Sequence, residues 1–129
     1  AAFDAHSDGD VLLHAVGDAL LGAAALGDIG QHFPDTDSAY ENADSAVLVR
    51  HILTLLTERS FSVHNVDATL IAEEPKFSPH IVDIRHSLAD IIGLPVSQVS
   101  VKATTNEKMG SLGRSEGIAA HVVLLISSD

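Results

Sequence analysis

Apolar residues recur along the chain at helical spacing in three stretches and at alternating or continuous strand-like spacing in three others. Leu12, Val16, Ala19, Leu20 and Ala23 share one side of a helix predicted over 10–25, with Ser7 or Asp8 as its cap. Asp8 and Asp10 stand near its positive end, where carboxylates are favoured. A second stripe on the same segment is polar: Asp10, His14 and Asp18 follow at four-residue steps. Gly27 and Gly30 break the pattern, and residues 32–37, HFPDTD, read as a loop. Leu48, Ile52, Leu55 and Leu56 predict a second helix over 45–59, capped by Asp44. Residues 61–72 alternate and are rich in Val, Thr and Ile, as a strand is, and Pro75 ends it. Ser78-Pro79 opens a third helix whose buried side is Ile81, Ile84, Leu88 and Ile91, and Gly93 closes it. Residues 98–104 and 118–126 are the second and third strands, and Gly110, Gly113 and Gly117 mark the loop between them.

The order helix, helix, strand, helix, strand, strand predicts an α+β two-layer domain, a small mixed sheet with helices on one face. The last strand contains VVLLI, apolar on both of its faces. A monomer leaves one of those faces wet, so the uncovered sheet face is expected to pack against other subunits. A length of 129 residues suits one domain over 1–129, and no repeat or linker divides it.

Composition adds three constraints. The absence of cysteine excludes disulfides and thiolate metal sites, so a metal must take nitrogen and oxygen ligands. No apolar run approaches the roughly 18 residues of a membrane span, and no charged-then-apolar leader opens the sequence. The net charge of −11 argues against nucleic-acid backbones and anionic membranes as partners. It also repels an anionic ligand, which then needs local cations, helix N-termini or metal ions. Lys76, Lys102, Lys108 and Arg114 are four of only seven basic residues, and each lies in or beside a loop-like stretch. They read either as solubilising charges or as anion contacts.

Candidate chemistry gathers in four places. His14, between Asp10 and Asp18, is either a partly buried histidine paired to carboxylates or a metal ligand held by a carboxylate behind it. Thr104-Thr105-Asn106-Glu107-Lys108 follows a strand and precedes glycines. It is either a polar turn or a site for a phosphate with Mg²⁺, which is bound through one or two carboxylates and phosphate oxygens. Residues 72–78 join a strand to a helix, as an ordinary capped connection or as a bend whose backbone reads a base edge. Residues 27–30, GDIG, are a helix stop or part of the same site.

Taken together, AHSDGDVLLHAVGDALLGAAALGDIGQHFPDTD, NVDATLIAEEPKFSPHI, VKATTNEKMG and GRSEGIAAHVVLL stand in the order and spacing of one family. The chain resembles the 2-C-methyl-D-erythritol 2,4-cyclodiphosphate synthases of the non-mevalonate isoprenoid pathway, over essentially all of its length. The resemblance implies homotrimers with active sites between neighbouring subunits, located in the bacterial cytoplasm or the plastid stroma. It implies that the 2-phosphate of a CDP-linked methylerythritol attacks the β-phosphate, closing a cyclic diphosphate and releasing CMP. His14 matches a Zn²⁺ (or Mn²⁺) ligand and Glu107 a Mg²⁺ ligand. His6 and Ser7 match contacts to the methylerythritol phosphate, and His6 and Thr105 match the two transition-state stabilisers. Asp28, Ile29 and Gly30 match contacts to ribose and substrate, and Phe33, Pro34, Asp35, Thr36 and Asp37 a mobile substrate loop. Ala72, Glu73, Glu74, Pro75, Lys76, Phe77 and Ser78 match the cytosine pocket. Thr104, Thr105, Asn106 and Glu107 match diphosphate contacts. Arg114 matches an arginine at the mouth of a cavity on the trimer axis, which in some relatives holds an isoprenoid diphosphate.

Four features depart from that pattern. The family's other two zinc ligands come from an Asp-x-His motif on an N-terminal strand, and this sequence starts after it. Asp4-Ala5-His6 has the pattern, but His6 and Ser7 already hold the places that AHSDGD gives them. A polypeptide beginning at Ala1 is therefore expected to bind zinc weakly and to turn over little, which calorimetric titration with zinc measures. Ser111 stands where many members have phenylalanine, which reduces the apolar lining of the axial cavity. Glu73 and Glu74 add negative charge beside the cytosine pocket, and Asn106 replaces a common threonine while keeping donors. The competing readings are a trimeric scaffold that holds a nucleotide or isoprenoid diphosphate without turnover, and a metal-dependent phosphohydrolase, for which no general base is assigned.

Overall fold

The computed structural model describes residues 6–34, 45–72, 78–104 and 118–128. Its elements in chain order are α1 (His6–Ala23), α2 (Ile29–His32), α3 (Ser45–Glu58), β1 (Phe61–Ile71), a 3₁₀ turn (Ser78–His80) running into α4 (Ile81–Ile92), a second 3₁₀ turn (Val96–Gln98), β2 (Val99–Thr104) and β3 (Ala119–Ser128). The sheet order is β2-β1-β3, with β1 parallel to β2 and antiparallel to β3. Among the described residues the sheet is thus mixed and three-stranded, as the order of elements predicts.

Burial of one sheet face explains the layers. Val66, Ala68 and Leu70 of β1 and Val99 and Val101 of β2 are buried, and Ala120, Val122, Leu124 and Ile126 of β3 pack at the margin of the same cluster. Helix α1 lies against β3, α3 against β1, and α4 against β2. Leu12, Val16 and Leu20 of α1, Val49 and Ile52 of α3, and Ile84 and Leu88 of α4 are wholly buried between the layers. Their spacing by three and four residues is the helical stripe that drives each helix onto the sheet.

A bulge in β1 keeps that face continuous. Val63 pairs with Ile126 and Asn65 with Leu125, so His64 is an extra residue without a cross-strand partner. Phe61 and Val63 face the core at odd positions before the bulge, and Val66, Ala68 and Leu70 at even positions after it. The other face is open. Val123 and Leu125 are 69% and 58% exposed there, beside an ion pair in which Lys102 Nζ donates to both oxygens of Asp67 at 2.9 and 2.8 Å. With both side chains about half exposed, the pair contributes about 0–1 kcal/mol.

The elements depart from the sequence expectation at several points. Helix α1 starts at His6 rather than residue 10, so Ser7 and Asp8 lie in its first turn and are not its caps. Ser, Asp and Gly are poor helix formers, which hid this turn. The buried stripe takes in Leu13 and Leu21, while Ala23 is exposed and Ala19 half-buried. Ser78-Pro79 opens a 3₁₀ turn, and the N-cap of α4 itself is His80, which makes no side-chain capping bond. Gly93 does close α4, in the left-handed region at φ +82, its N–H donating to Ala89 O. Lys102 lies inside β2, as the strand expected over 98–104 has it, and it is paired to Asp67. Asp44, Pro75, Lys76, Lys108, Gly110, Gly113 and Gly117 lie outside the described residues.

Two side-chain features fix the connections. The Arg85 guanidinium donates from Nε to Val99 O at 2.6 Å and from Nη2 to Val96 O at 2.8 Å, tying α4 to the start of β2. Gly27 has φ +90, and a Cβ there would lie 1.8 Å from Gln31 Oε1. Arg85→Ala is expected to lower unfolding free energy by about 2–3 kcal/mol, since hydrogen bonds from charged donors are worth about 1.5–3 kcal/mol; the urea midpoint measures it. Gly27→Ala is expected to cost about 1–2 kcal/mol, and adding Gln31→Ala to relieve the clash leaves the backbone part of that cost in place.

Candidate functional site

The polar stripe of α1 separates into three distinct environments. Ser45, the first residue of α3 and a buried one, donates its hydroxyl to Asp10 Oδ1. That bond sets a carboxylate at the positive end of α3, where the first backbone N–H groups lack helical partners. Asp18 Oδ1 accepts the backbone N–H of Ile29, the first residue of α2, at 2.8 Å. His14, between them, is exposed. The expected pairing of a partly buried His14 with these carboxylates is therefore not what the chain adopts: both aspartates accept from other elements. His6 and Ser7 lie in the first turn of α1, and His6 is about 12 Å from His14 along the axis, at the usual rise per residue.

Residues 26–33 form the second part of the site, and α2 within them is a turn that the sequence reading took as a helix stop followed by a loop. Asp28 is its N-cap, accepting Gln31 N–H on Oδ1 at 3.0 Å. An aspartate three residues before the amide it caps was the available signal. Phe33 N–H closes the turn on Ile29 O at 2.7 Å. His32 Nε2 lies 2.7 Å from Leu26 O, and because a carbonyl only accepts, that nitrogen carries the proton. The Phe33 ring meets the His51 ring of α3 edge-on, with centroids 5.3 Å apart. His51 was not among the residues chosen from sequence.

The expected site residues in this segment have unequal surroundings. Asp28, Gly30 and Pro34 are exposed. Ile29 is engaged twice within the chain, its amide on Asp18 and its side chain against α1. Room for that side chain comes from Gly17, where a Cβ would lie 3.0 Å from both Ile29 Cδ1 and Ile52 Cδ1.

A third group of site residues leaves the sheet at one end. Ile71 pairs with Thr104 on one side and with Ala119 on the other, and Ala72 N–H donates to Thr104 O at 3.2 Å. Ala72 is buried and Thr104 exposed. The connections after β1 and after β2 therefore depart side by side from the carboxyl ends of parallel strands, the usual place for ligands in open sheets. Glu73 to Phe77, Thr105 to Glu107, Ser111, Arg114 and Asp35 to Asp37 lie outside the described residues. Among the described residues no three His, Asp or Glu side chains converge as a metal cage. Nor, among them, is any helix long and apolar enough to cross a membrane.

Comparison with known proteins follows the same outline. The YgbB family profile matches residues 1–127. The 2-C-methyl-D-erythritol 2,4-cyclodiphosphate synthase of Thioalkalivibrio sulfidiphilus is 63% identical over 127 residues, covering 98% of this chain and 79% of the relative. The enzyme of the same name from Pseudomonas aeruginosa is 59% identical over 122 residues, covering 95% of this chain and 78% of the relative. Among solved structures, the bifunctional IspDF of Campylobacter jejuni superposes with a TM-score of 0.89 at 40% identity over 98% of this chain, which spans 34% of that longer protein. The IspF of Plasmodium falciparum in complex with CDP gives a TM-score of 0.82 at 33% identity, covering 96% of this chain and 74% of that one. With the profile matched nearly end to end and the fold shared at that level, the chain belongs to the YgbB family.

Proposed function

We propose that the protein cyclises 4-diphosphocytidyl-2-C-methyl-D-erythritol 2-phosphate to 2-C-methyl-D-erythritol 2,4-cyclodiphosphate with release of CMP, as a phosphorus–oxygen lyase of the non-mevalonate isoprenoid pathway. The 63% identity with a synthase of that name carries the reading, and it favours turnover over a silent nucleotide-binding scaffold. In the reaction an oxygen of the 2-phosphate bonds to the β-phosphorus. The bond from that phosphorus to the oxygen bridging to the α-phosphate breaks, and its electron pair leaves on CMP. The nucleophile needs no general base, because a phosphate monoester with a second pKa of about 6 is already ionised near neutral pH.

What remains is positioning and charge neutralisation. Bound divalent cations supply the neutralisation and polarise the reacting phosphoryl group. We assign His14 to Zn²⁺ or Mn²⁺: its imidazole is exposed, makes no hydrogen bond among the described residues, and suits such a cation. Glu107 is assigned to Mg²⁺. His6 and Thr105 stabilise charge in the transition state, and His6 and Ser7 hold the methylerythritol phosphate. Asp28, Gly30 and the residues from Phe33 to Asp37 hold ribose and substrate, with Ile29 as their anchor. The connection from Ala72 to Ser78 takes the cytosine, and that from Thr104 to Glu107 takes the diphosphate. The adjacent departure of these two connections from the sheet supports assigning them to one nucleotide. Arg114 belongs to the mouth of the axial cavity.

The active assembly is a homotrimer with sites between subunits. Val123 and Leu125, exposed on the open sheet face, are the apolar surface that such packing covers. Incubating the protein with the CDP-linked substrate and saturating Zn²⁺ and Mg²⁺, which offsets the weak zinc binding expected of a chain that begins at Ala1, is expected to give CMP and a cyclic diphosphate by phosphorus NMR, though slowly. Linear phosphate products would indicate a hydrolase instead, and the absence of CMP a scaffold. Exhaustive chelation is expected to abolish ring closure, and product persisting after it would remove the cations from the reaction. Sedimentation is expected to find a trimer, and Leu125→Asp to shift it towards monomer with loss of activity.

A further inference from the structure

We propose that Asp18 is a positioning residue for the substrate: by accepting the Ile29 amide it holds the segment Asp28–Phe33 where that segment meets the nucleotide. The inference rests on the proposed function and adds a residue that touches no substrate. Its starting point is the length of α2. Four residues close too few internal hydrogen bonds to offset the ordering of their own backbone, so this turn needs outside ties. Two of its bonds are internal and move with it, Gln31 N–H to Asp28 and Phe33 N–H to Ile29 O, while its far end is tied by His32 Nε2–H to Leu26 O, the Leu26 N–H itself donating to Leu21 O of α1, and by the Phe33 ring against His51 of α3. Asp18 belongs to α1, eleven residues earlier, and its Oδ1 accepts the Ile29 N–H at 2.8 Å. A carboxylate acceptor makes this a charge-assisted bond.

The neighbouring geometry sets the direction as well as the strength. Gly17, one residue before Asp18, admits the Ile29 side chain against α1. Ile29 is thus held by amide and side chain at two adjacent positions of one rigid helix, and Asp28 and Gly30 on either side of it are left exposed. Asp18 itself is exposed and outside the core. Removing its carboxylate therefore leaves the packing of α1 intact and loosens the start of the segment, around Asp28 to Gly30. That separates positioning from general stability.

The test compares steady-state kinetics of the wild type, Asp18→Ala, Asp18→Asn and Arg85→Ala on the CDP-linked substrate with Zn²⁺ and Mg²⁺ supplied, alongside melting curves and amide hydrogen exchange. Asp18→Ala is expected to raise KM by about tenfold or more with a smaller change in kcat, and to speed exchange at the Ile29 amide. Asp18→Asn retains an acceptor oxygen and is expected to restore KM to within about threefold of wild type. Arg85→Ala, far along the chain and tied to β2, is expected to lower the melting temperature more than Asp18→Ala does while leaving KM unchanged. An unmoved KM in Asp18→Ala, an unmoved Ile29 exchange rate, or a KM rise matched by Arg85→Ala overturns the inference and leaves the proposed function standing. A wild-type protein without turnover overturns the proposed function, and the inference with it.

Discussion

One sheet face has to be dried, and three helices are the means. A three-stranded sheet is too small to shelter its own apolar residues, so α1, α3 and α4 each turn a leucine- and isoleucine-rich side onto it. This requirement decides what is left over. Once Leu12, Val16 and Leu20 commit one side of α1 to the sheet, the stripe Asp10, His14, Asp18 is turned away from it. Two of the three then fasten α1 to its neighbours, Asp10 through Ser45 and Asp18 through Ile29. His14 remains available for chemistry. Packing and function thus share a helix without sharing a side of it.

Electrostatics place a second demand on the same surfaces. A chain of net charge −11 has to accommodate a substrate that is itself strongly anionic. Several carboxylates are already directed at donors within the fold: Asp10 at a hydroxyl, Asp18 and Asp28 at backbone amides, Asp67 at an ammonium. Their charge remains; Asp10, Asp18 and Asp67 are held by those donors, while Asp28 engages only Oδ1 and stays exposed. The Asp67 contact also claims Lys102, a cation that the sequence suggested for the ligand. With that lysine engaged on the open sheet face, it is not available to offset the charge of a phosphoryl group.

Much of the architecture was legible because it depends on periodicity. The α3 stripe, the alternation of β1 and the glycine that closes α4 follow from where apolar residues recur and stop, and a mixed sheet was expected from the order of elements. Short polar pieces were not legible in that way. The first turn of α1 is built from residues of low helix propensity, and α2 is a single turn held by an aspartate from another helix. A contact between Asp18 and Ile29 has no local pattern, because it exists only after the chain has folded back on itself. The identities of the site residues came from motif resemblance. Their surroundings came from coordinates, which distinguish the anchored Ile29 from the exposed Asp28 and Gly30.

The extra residue at His64 has a consequence for how the chain tolerates changes in length. Removing it would restore an unbroken ladder between β1 and β3 and leave Phe61, Val63, Val66, Ala68 and Leu70 in plain alternation on the core face. A one-residue deletion at that point is therefore a milder alteration than one between Val66 and Leu70, where no spare residue exists and a core side chain would turn outward.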